Sequence, residues 1–204
     1  MTSTMTLHVI YGIACAGKST AAVRFAAEYG IRTVVHTDYL REVQRLYVPA
    51  GLSPVLAKVS HTAWELTGDP SPGGIVAGFT SHAEAVFPVI AAVTVKLARD
   101  GLDAIIEGSH FHGALITRLR QQVADVTVRP ALVTVESLSQ LLEHIYEKER
   151  QRVPGAEPRN WRANARVLMT IQDFLIADAA SHSIPLIQAA NPSRDGGIYE
   201  HANQ

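Results

Sequence analysis

Eight consecutive residues, Gly12-Ile13-Ala14-Cys15-Ala16-Gly17-Lys18-Ser19, fill every fixed position of the pattern G-x-x-x-x-G-K-[ST]. From average residue usage, a chance match in a chain of this length is on the order of 1%. The flanks lower that further, because the apolar run Leu7 to Tyr11 precedes the loop and a helical pattern follows it. Glycines let the backbone wrap closely and turn its amide N–H groups inward as an anion nest. A helix starting near Lys18 adds its positive end. The chemistry predicted is capture of the phosphates of a nucleoside triphosphate by Gly12, Ala14, Cys15, Ala16, Gly17, Lys18, Ser19 and Thr20. Lys18 should reach the β- and γ-phosphates, and the Ser19 hydroxyl should ligate Mg²⁺. Cys15 reads as a small filler of the loop rather than a nucleophile.

Such a loop gives a nucleotide but not a reaction. The N-K-x-D motif by which switch GTPases read guanine does not occur in the chain. Two carboxylates narrow the chemistry: Asp38 follows a strand ending in His36-Thr37, and Glu107 ends the strand beginning at Ala104. In parallel α/β sheets ligands gather at the carboxyl ends of the strands, so Asp38, Glu107 and the phosphate loop should converge on one cleft. That suits a small-molecule kinase. In this reading Asp38 accepts or orients the proton of an acceptor hydroxyl, and Glu107 holds a magnesium water or the acceptor; the two roles are open to exchange. The plainer readings are a helix N-cap for Asp38 and a structural pairing for Glu107.

Around these residues the sequence alternates short apolar runs with longer helical ones, as a largely parallel sheet covered by helices requires. Strands are expected at Leu7 to Tyr11, Thr33 to His36, Ala104 to Ile106, Ala131 to Val135 and Pro185 to Gln188. Helices are expected from Lys18 to about Tyr29, stopped by Gly30, from Leu138 to Arg150 and from Trp161 to Ala180. Tyr39 to Arg99 reads as mostly helical, broken by the loop Gly68 to Gly74, and is longer than a strand-to-strand crossover needs. It is expected to sit over the ends of the second and third strands as an acceptor-binding insertion. Arg41 and Arg45, four apart on one helical face, could present two guanidinium forks to a carboxylate or phosphate there. His110, just past Glu107, could add a donor. His61 and His82 read as surface or satisfied helix residues.

The whole chain, 204 residues, is expected to form one domain. Arginines bracket the proline-containing loop Val153 to Pro158: Arg150 and Arg152 before it, Arg159, Arg162 and Arg166 after it. They suggest a lid over about residues 150–160 that closes on the transferring phosphoryl group, with Arg150 and Arg152 the stronger candidates. The later three have the spacing of one helical face, and a solvated basic surface is the plainer reading. Fourteen arginines against four lysines fit either bidentate phosphate recognition or a coding bias.

A formal net charge of −1 creates no field toward nucleic acid or an anionic membrane, so neither partner is expected. No window reaches the apolar length of a membrane span, and Ala83 to Ala98, broken by Pro88 and Lys96, reads as a core helix. One cysteine allows no internal disulfide and no four-cysteine zinc site, which fits a reducing cytoplasm. A homodimer is possible. The tail after Asn191 is polar and expected to fray.

Several blocks together resemble 2-phosphoglycerate kinase: Thr37-Asp38-Tyr39-Leu40-Arg41-Glu42, Gly78-Phe79, Ile105-Ile106-Glu107-Gly108-Ser109-His110, Ile171-Gln172-Asp173-Phe174-Leu175 and Ile184-Pro185-Leu186-Ile187. The resemblance runs from about Val9 to Ile187. It implies an adenylate-kinase-like P-loop fold, with a five-stranded parallel sheet, that uses ATP and Mg²⁺ and phosphorylates a small phosphorylated hydroxy acid. The chain departs from the family pattern at Ile145 and Met169, where arginines would be expected. No counterpart of the extra N-terminal domain of some members is expected. A nucleoside, sugar or antibiotic hydroxyl as acceptor, or a regulatory ATPase with no acceptor, are the alternative readings.

Overall fold

The computed structural model describes residues 5–189. Its elements in chain order are β1 (Thr6–Tyr11), α1 (Lys18–Tyr29), β2 (Thr33–His36), α2 (Thr37–Tyr47) and α3 (Pro72–Asp100). They continue with β3 (Ala104–Gly108), α4 (Gly113–Gln122), β4 (Thr127–Thr134), α5 (Leu138–Arg150), α6 (Ala165–Ser181) and β5 (Leu186–Gln188). The strands form one parallel sheet in the order β2-β3-β1-β4-β5. β1 lies at its centre, between β3 and β4; every residue of β3 is buried, as its unbroken apolar start Ala104-Ile105-Ile106 requires. All five strands point their carboxyl ends the same way, so the loop after β1 and the ends of β2 and β3 share one edge of the sheet.

Local chemistry explains the helix boundaries. α1 stops at Gly30, whose φ of 65° is the left-handed geometry of a helix C-cap. Ser71 and Ser137 cap α3 and α5, their hydroxyls accepting from Gly74 N at 3.1 Å and Gln140 N at 3.2 Å. Pro72 occupies the first turn of α3, where a missing N–H costs nothing.

Four expectations need correction. α4 was not anticipated: its apolar stripe Leu115, Ile116 and Leu119 is short, and its first residue is a glycine. β4 begins at Thr127, four residues early, with Pro130 inside it. α6 begins at Ala165, not Trp161, so Arg159 and Arg162 precede the helix and share no face with Arg166. Finally, α3 is by length and composition apolar enough to cross a membrane, despite Pro88 and Lys96. Half of its most apolar window is buried in the protein. Phe79, Ala83, Val86, Phe87 and Ile90 enter the core there, as a core helix demands.

Gln172 accounts for one of the blocks behind the family resemblance. Its amide holds both backbone groups of Val135, accepting from the N–H and donating to the carbonyl, each at 2.9 Å. The buried side chain thereby locks α6 to the residue that follows β4. The expected fraying of the tail after Asn191 lies outside the described residues.

Candidate active site

The phosphate loop leaves the end of β1 and enters α1 through Gly17, in left-handed geometry with φ 88°. No side chain caps this helix and no acidic residue lies in its first turn. The N–H groups of the first turn and the positive end of the helix are therefore available to an anion. Lys18 is 8% exposed, and its Nζ donates to the Ile13 carbonyl at 2.7 Å. Burial lowers its pKa, while the charges of Glu107 and Asp38 oppose that shift. Cys15 is buried, and burial pushes its thiol upward in pKa, against the activation of a nucleophile.

Glu107 joins three elements. It accepts from the Ser19 hydroxyl at 3.0 Å and pairs through the same oxygen with His36 Nδ1 at the end of β2. The carboxylate is 5% exposed, so a predicted site residue is a buried hub beside the loop. Among the described residues no group of three or more His, Cys, Asp or Glu side chains could hold a metal. Ser19 and Glu107 instead suit an ion that arrives with a nucleotide.

The next two motif blocks face each other. Thr37 Oγ1 and His110 Nδ1 lie 2.7 Å apart, and His110 Nε2 is 3.8 Å from Asp38 Oδ1. Gly108 makes this approach possible, because a Cβ there would collide with the Thr37 hydroxyl. Asp38 directs a largely exposed side chain into the cleft. Desolvation in the cleft pushes its carboxyl upward, but His110, Lys18, Arg41 and Lys148 outweigh it and hold the pKa below the ordinary value. Asp38 makes no side-chain cap at α2, whose cap residue is His36.

Arg41 and Arg45 do not present two free forks. Arg41 is 3% exposed; its guanidinium donates to the carbonyls of Leu56 at 3.1 Å and Lys58 at 2.6 Å, and pairs with Glu42. Arg45 donates to the other oxygen of Glu42 at 2.8 Å. His61 and His82 are not surface residues. They are 3% and 0% exposed, and neither His61 nitrogen makes a hydrogen bond of ordinary geometry, though the Arg159 backbone lies near enough to act on the ring.

Arg150 and Arg152 lie at the end of α5, away from the loop's hydrogen bonds. Arg150 donates to Glu147 at 3.3 Å, while Arg152 donates to the Glu157 carbonyl and stands over the Trp161 ring. The helix face that meets the phosphate loop carries His144 and Lys148, which sequence reasoning missed. His144 Nδ1 pairs with the Cys15 carbonyl at 3.0 Å. Lys148, one turn on, acts electrostatically on Cys15, Lys18 and Asp38. Ile145, where an arginine was expected, is wholly buried in the core. An arginine on that face of α5 would enter the core. The i, i+4 spacing of His144 and Lys148 beside a buried Leu141 and Ile145 is the signal that could have found this face.

No family model matches the chain. It is 32% identical over 173 residues to the 2-phosphoglycerate kinase of Pyrococcus furiosus, covering 84% of this chain and 55% of that one. The same name belongs to relatives in Pyrococcus horikoshii, 34% identical with the same coverage, and in Methanopyrus kandleri, 30% identical over 88% of this chain and 54% of that one. The chain thus spans about half the length of the curated relatives it matches. Its fold is similar to a gluconokinase of Sinorhizobium meliloti, with a TM-score of 0.54 at 16% identity over 93% of this chain and 85% of that one. A sugar kinase of a Janibacter species gives 0.51 at 16% identity over 90% and 84%. The chain therefore has the fold of the P-loop kinases, and its curated homologues are proteins named 2-phosphoglycerate kinase.

Proposed function

We propose that the chain transfers the γ-phosphoryl group of ATP to a hydroxyl of a small phosphorylated hydroxy acid, with 2-phosphoglycerate the first candidate. The observation that carries this reading is the convergence of three groups at one sheet edge. They are the uncapped α1 N-terminus with Lys18, the Ser19–Glu107 pair, and Asp38 beside His110. The names of the curated homologues supply the acceptor.

The residues divide the work as follows. The first-turn N–H groups of α1 and the Lys18 ammonium hold and neutralise the triphosphate. Magnesium, when bound with the nucleotide, would supply neutralisation of phosphate charge. Ser19 would hold it, with Glu107 orienting the serine hydroxyl. Asp38, kept ionised by its cationic neighbours, receives or orients the acceptor's hydroxyl proton. Lys148 and the arginines of residues 150–160 form the side that closes over the phosphoryl group and excludes water. Cys15 is buried with its thiol pushed upward in pKa, and catalysis in this reading rests on positioning and electrostatics and not on a covalent intermediate.

An acceptor panel with γ-labelled ATP tests the reading. 2-Phosphoglycerate should take the label in preference to glycerate, gluconate and neutral sugars. Transfer to a neutral sugar or nucleoside, with none to 2-phosphoglycerate, would contradict the acidic acceptor. Phosphate release that needs no acceptor would favour the regulatory ATPase.

A further inference from the structure

Three buried imidazoles lie within electrostatic reach of Asp38, and two of them pack together. His110 stands beside Asp38, and its ring centroid is 5.0 Å from that of His82. His82 Nε2 pairs with the Lys58 carbonyl at 3.1 Å, an oxygen it shares with Arg41. His61 lies three residues beyond Lys58, in the segment that runs against α3. Gly78, one turn before His82, fits that segment so closely that a Cβ would run into the backbone of Trp64. The His61 carbonyl is satisfied by Trp64 Nε1 at 3.2 Å, but its ring is not.

A neutral imidazole carries one N–H and one lone pair. His82 must donate from Nε2 to reach a carbonyl, so its unpartnered Nδ1 is a bare lone pair. His61 is almost wholly buried, and its ring has only the Arg159 backbone close by, with no hydrogen bond of ordinary geometry at either nitrogen. Buried polar atoms are rarely left so, and buried rings short of partners within electrostatic reach of the candidate catalytic carboxylate point to a ligand. The neighbouring charges say which kind. Arg41, Arg159 and Lys18 outnumber Asp38 around these rings, and Glu65 is the other acid near His61.

We propose that His61, His82 and His110 form the subsite for the acceptor's anionic head group, and that His61 takes up a proton when that anion binds. The inference rests on the reading of this cleft as the acceptor site. The groups acting on His61 are Asp38 from α2, Glu65 from its own segment, and Arg159, by its backbone and its charge, from the segment before α6. In this structure burial keeps all three imidazoles below their ordinary pKa, hence neutral. An incoming dianion supplies the counter-charge they lack and turns a bare lone pair into an N–H donor. A phosphomonoester suits this exchange, because its second ionisation lies near that of imidazole.

The test fills the phosphate loop with a non-hydrolysable ATP analogue and Mg²⁺, then titrates 2-phosphoglycerate at neutral pH. Calorimetry in buffers of different ionisation enthalpy should find about one proton taken up per molecule bound. His61→Gln should abolish that uptake and raise the acceptor KM about tenfold or more, leaving the ATP KM alone. Imidazole proton resonances of the wild-type protein give the same answer if the variant folds poorly: those of the three histidines should shift on binding. Binding of 2-phosphoglycerate with no proton uptake and unmoved imidazole resonances overturns the proposal, even if turnover is normal. If 2-phosphoglycerate neither binds nor accepts phosphate, the acceptor assignment has failed, and inorganic phosphate alone decides the subsite. Shifted histidine resonances with proton uptake then uphold it, and their absence overturns it.

Discussion

Thr37 and His110 are linked across the cleft, hydroxyl oxygen to Nδ1 at 2.7 Å, so the strand ends of β2 and β3 are held together by side chains as well as by the sheet. With the threonine hydroxyl donating, the ring proton sits on Nε2 and faces Asp38. The carboxylate proposed as base thus lies 3.8 Å from an imidazole nitrogen whose ring Thr37 positions.

Asp38→Asn keeps the shape of that arrangement and removes its basicity. Proton transfer by a positioned side chain contributes roughly 10²–10⁴ in rate, and kcat should fall by that order with little change in the ATP KM. Near-normal kcat in Asp38→Asn would remove Asp38 from the mechanism. A dead Glu107→Gln beside an active Asp38→Asn would exchange the two roles.

Arg41 is expected to act on stability. Its guanidinium fastens the turn at Leu56 to Lys58 onto α2, and truncation would leave the Leu56 carbonyl without its donor and the Lys58 carbonyl with His82 alone. Hydrogen bonds to a charged group are worth about 1.5–3 kcal/mol each. Arg41→Ala should therefore lower Tm by several degrees and disturb His82, which shares the Lys58 carbonyl. An unchanged Tm with a raised acceptor KM would instead make Arg41 a direct ligand.

The buried histidines set a pH dependence of folding. His82 is pushed down to about 3, by burial first and by the charges of His110 and Arg41 next. His110 is pushed down to about 4, by burial against the pull of Asp38. The unfolded chain protonates these rings below their ordinary value of 6.5. Between that value and about 4 the unfolded state binds more protons, so acid favours unfolding. Stability is full above 6.5 and falls as the pH drops through this window, before most carboxylates titrate. Melting curves should show the loss, and His82→Gln should flatten it. A Tm that stays level across the window would mean that the rings are already charged in the native state.

Residues 150–160 should gain protection from hydrogen exchange when nucleotide and acceptor bind together. In the unliganded structure they rest on Trp161, under Lys148 and Arg152, and on the Glu149–Arg162 pair at 3.4 Å. Exchange that is the same with both ligands and with neither would leave this segment a charged surface and not a lid.

The phosphate-loop pattern and the two carboxylates at strand ends could be picked out in the sequence because each is marked by residue types at fixed local spacing. β2 and α5 were legible to the residue, since a turn glycine or a serine cap marks their edges. α4 was not legible, because its apolar face is three residues wide. The partners of the site residues were hidden for a different reason. His61 and His82 differ from surface histidines only through the folding of α3 against the turns before it. The use of Arg41 as a clamp depends on two carbonyls 15 and 17 residues away. No local pattern records such contacts.

The central claim is that this cleft moves a phosphoryl group from ATP to an acidic hydroxy acid. It is tested most directly by incubating the protein with γ-labelled ATP, Mg²⁺ and 2-phosphoglycerate and identifying the labelled product. The account predicts labelled bisphosphoglycerate and ADP in equal amounts, and loss of both in Lys18→Ala, a folded variant lacking the ammonium at the phosphate loop. Unlabelled acceptor under these conditions, or a Lys18→Ala protein that keeps more than about a tenth of wild-type turnover, would contradict it.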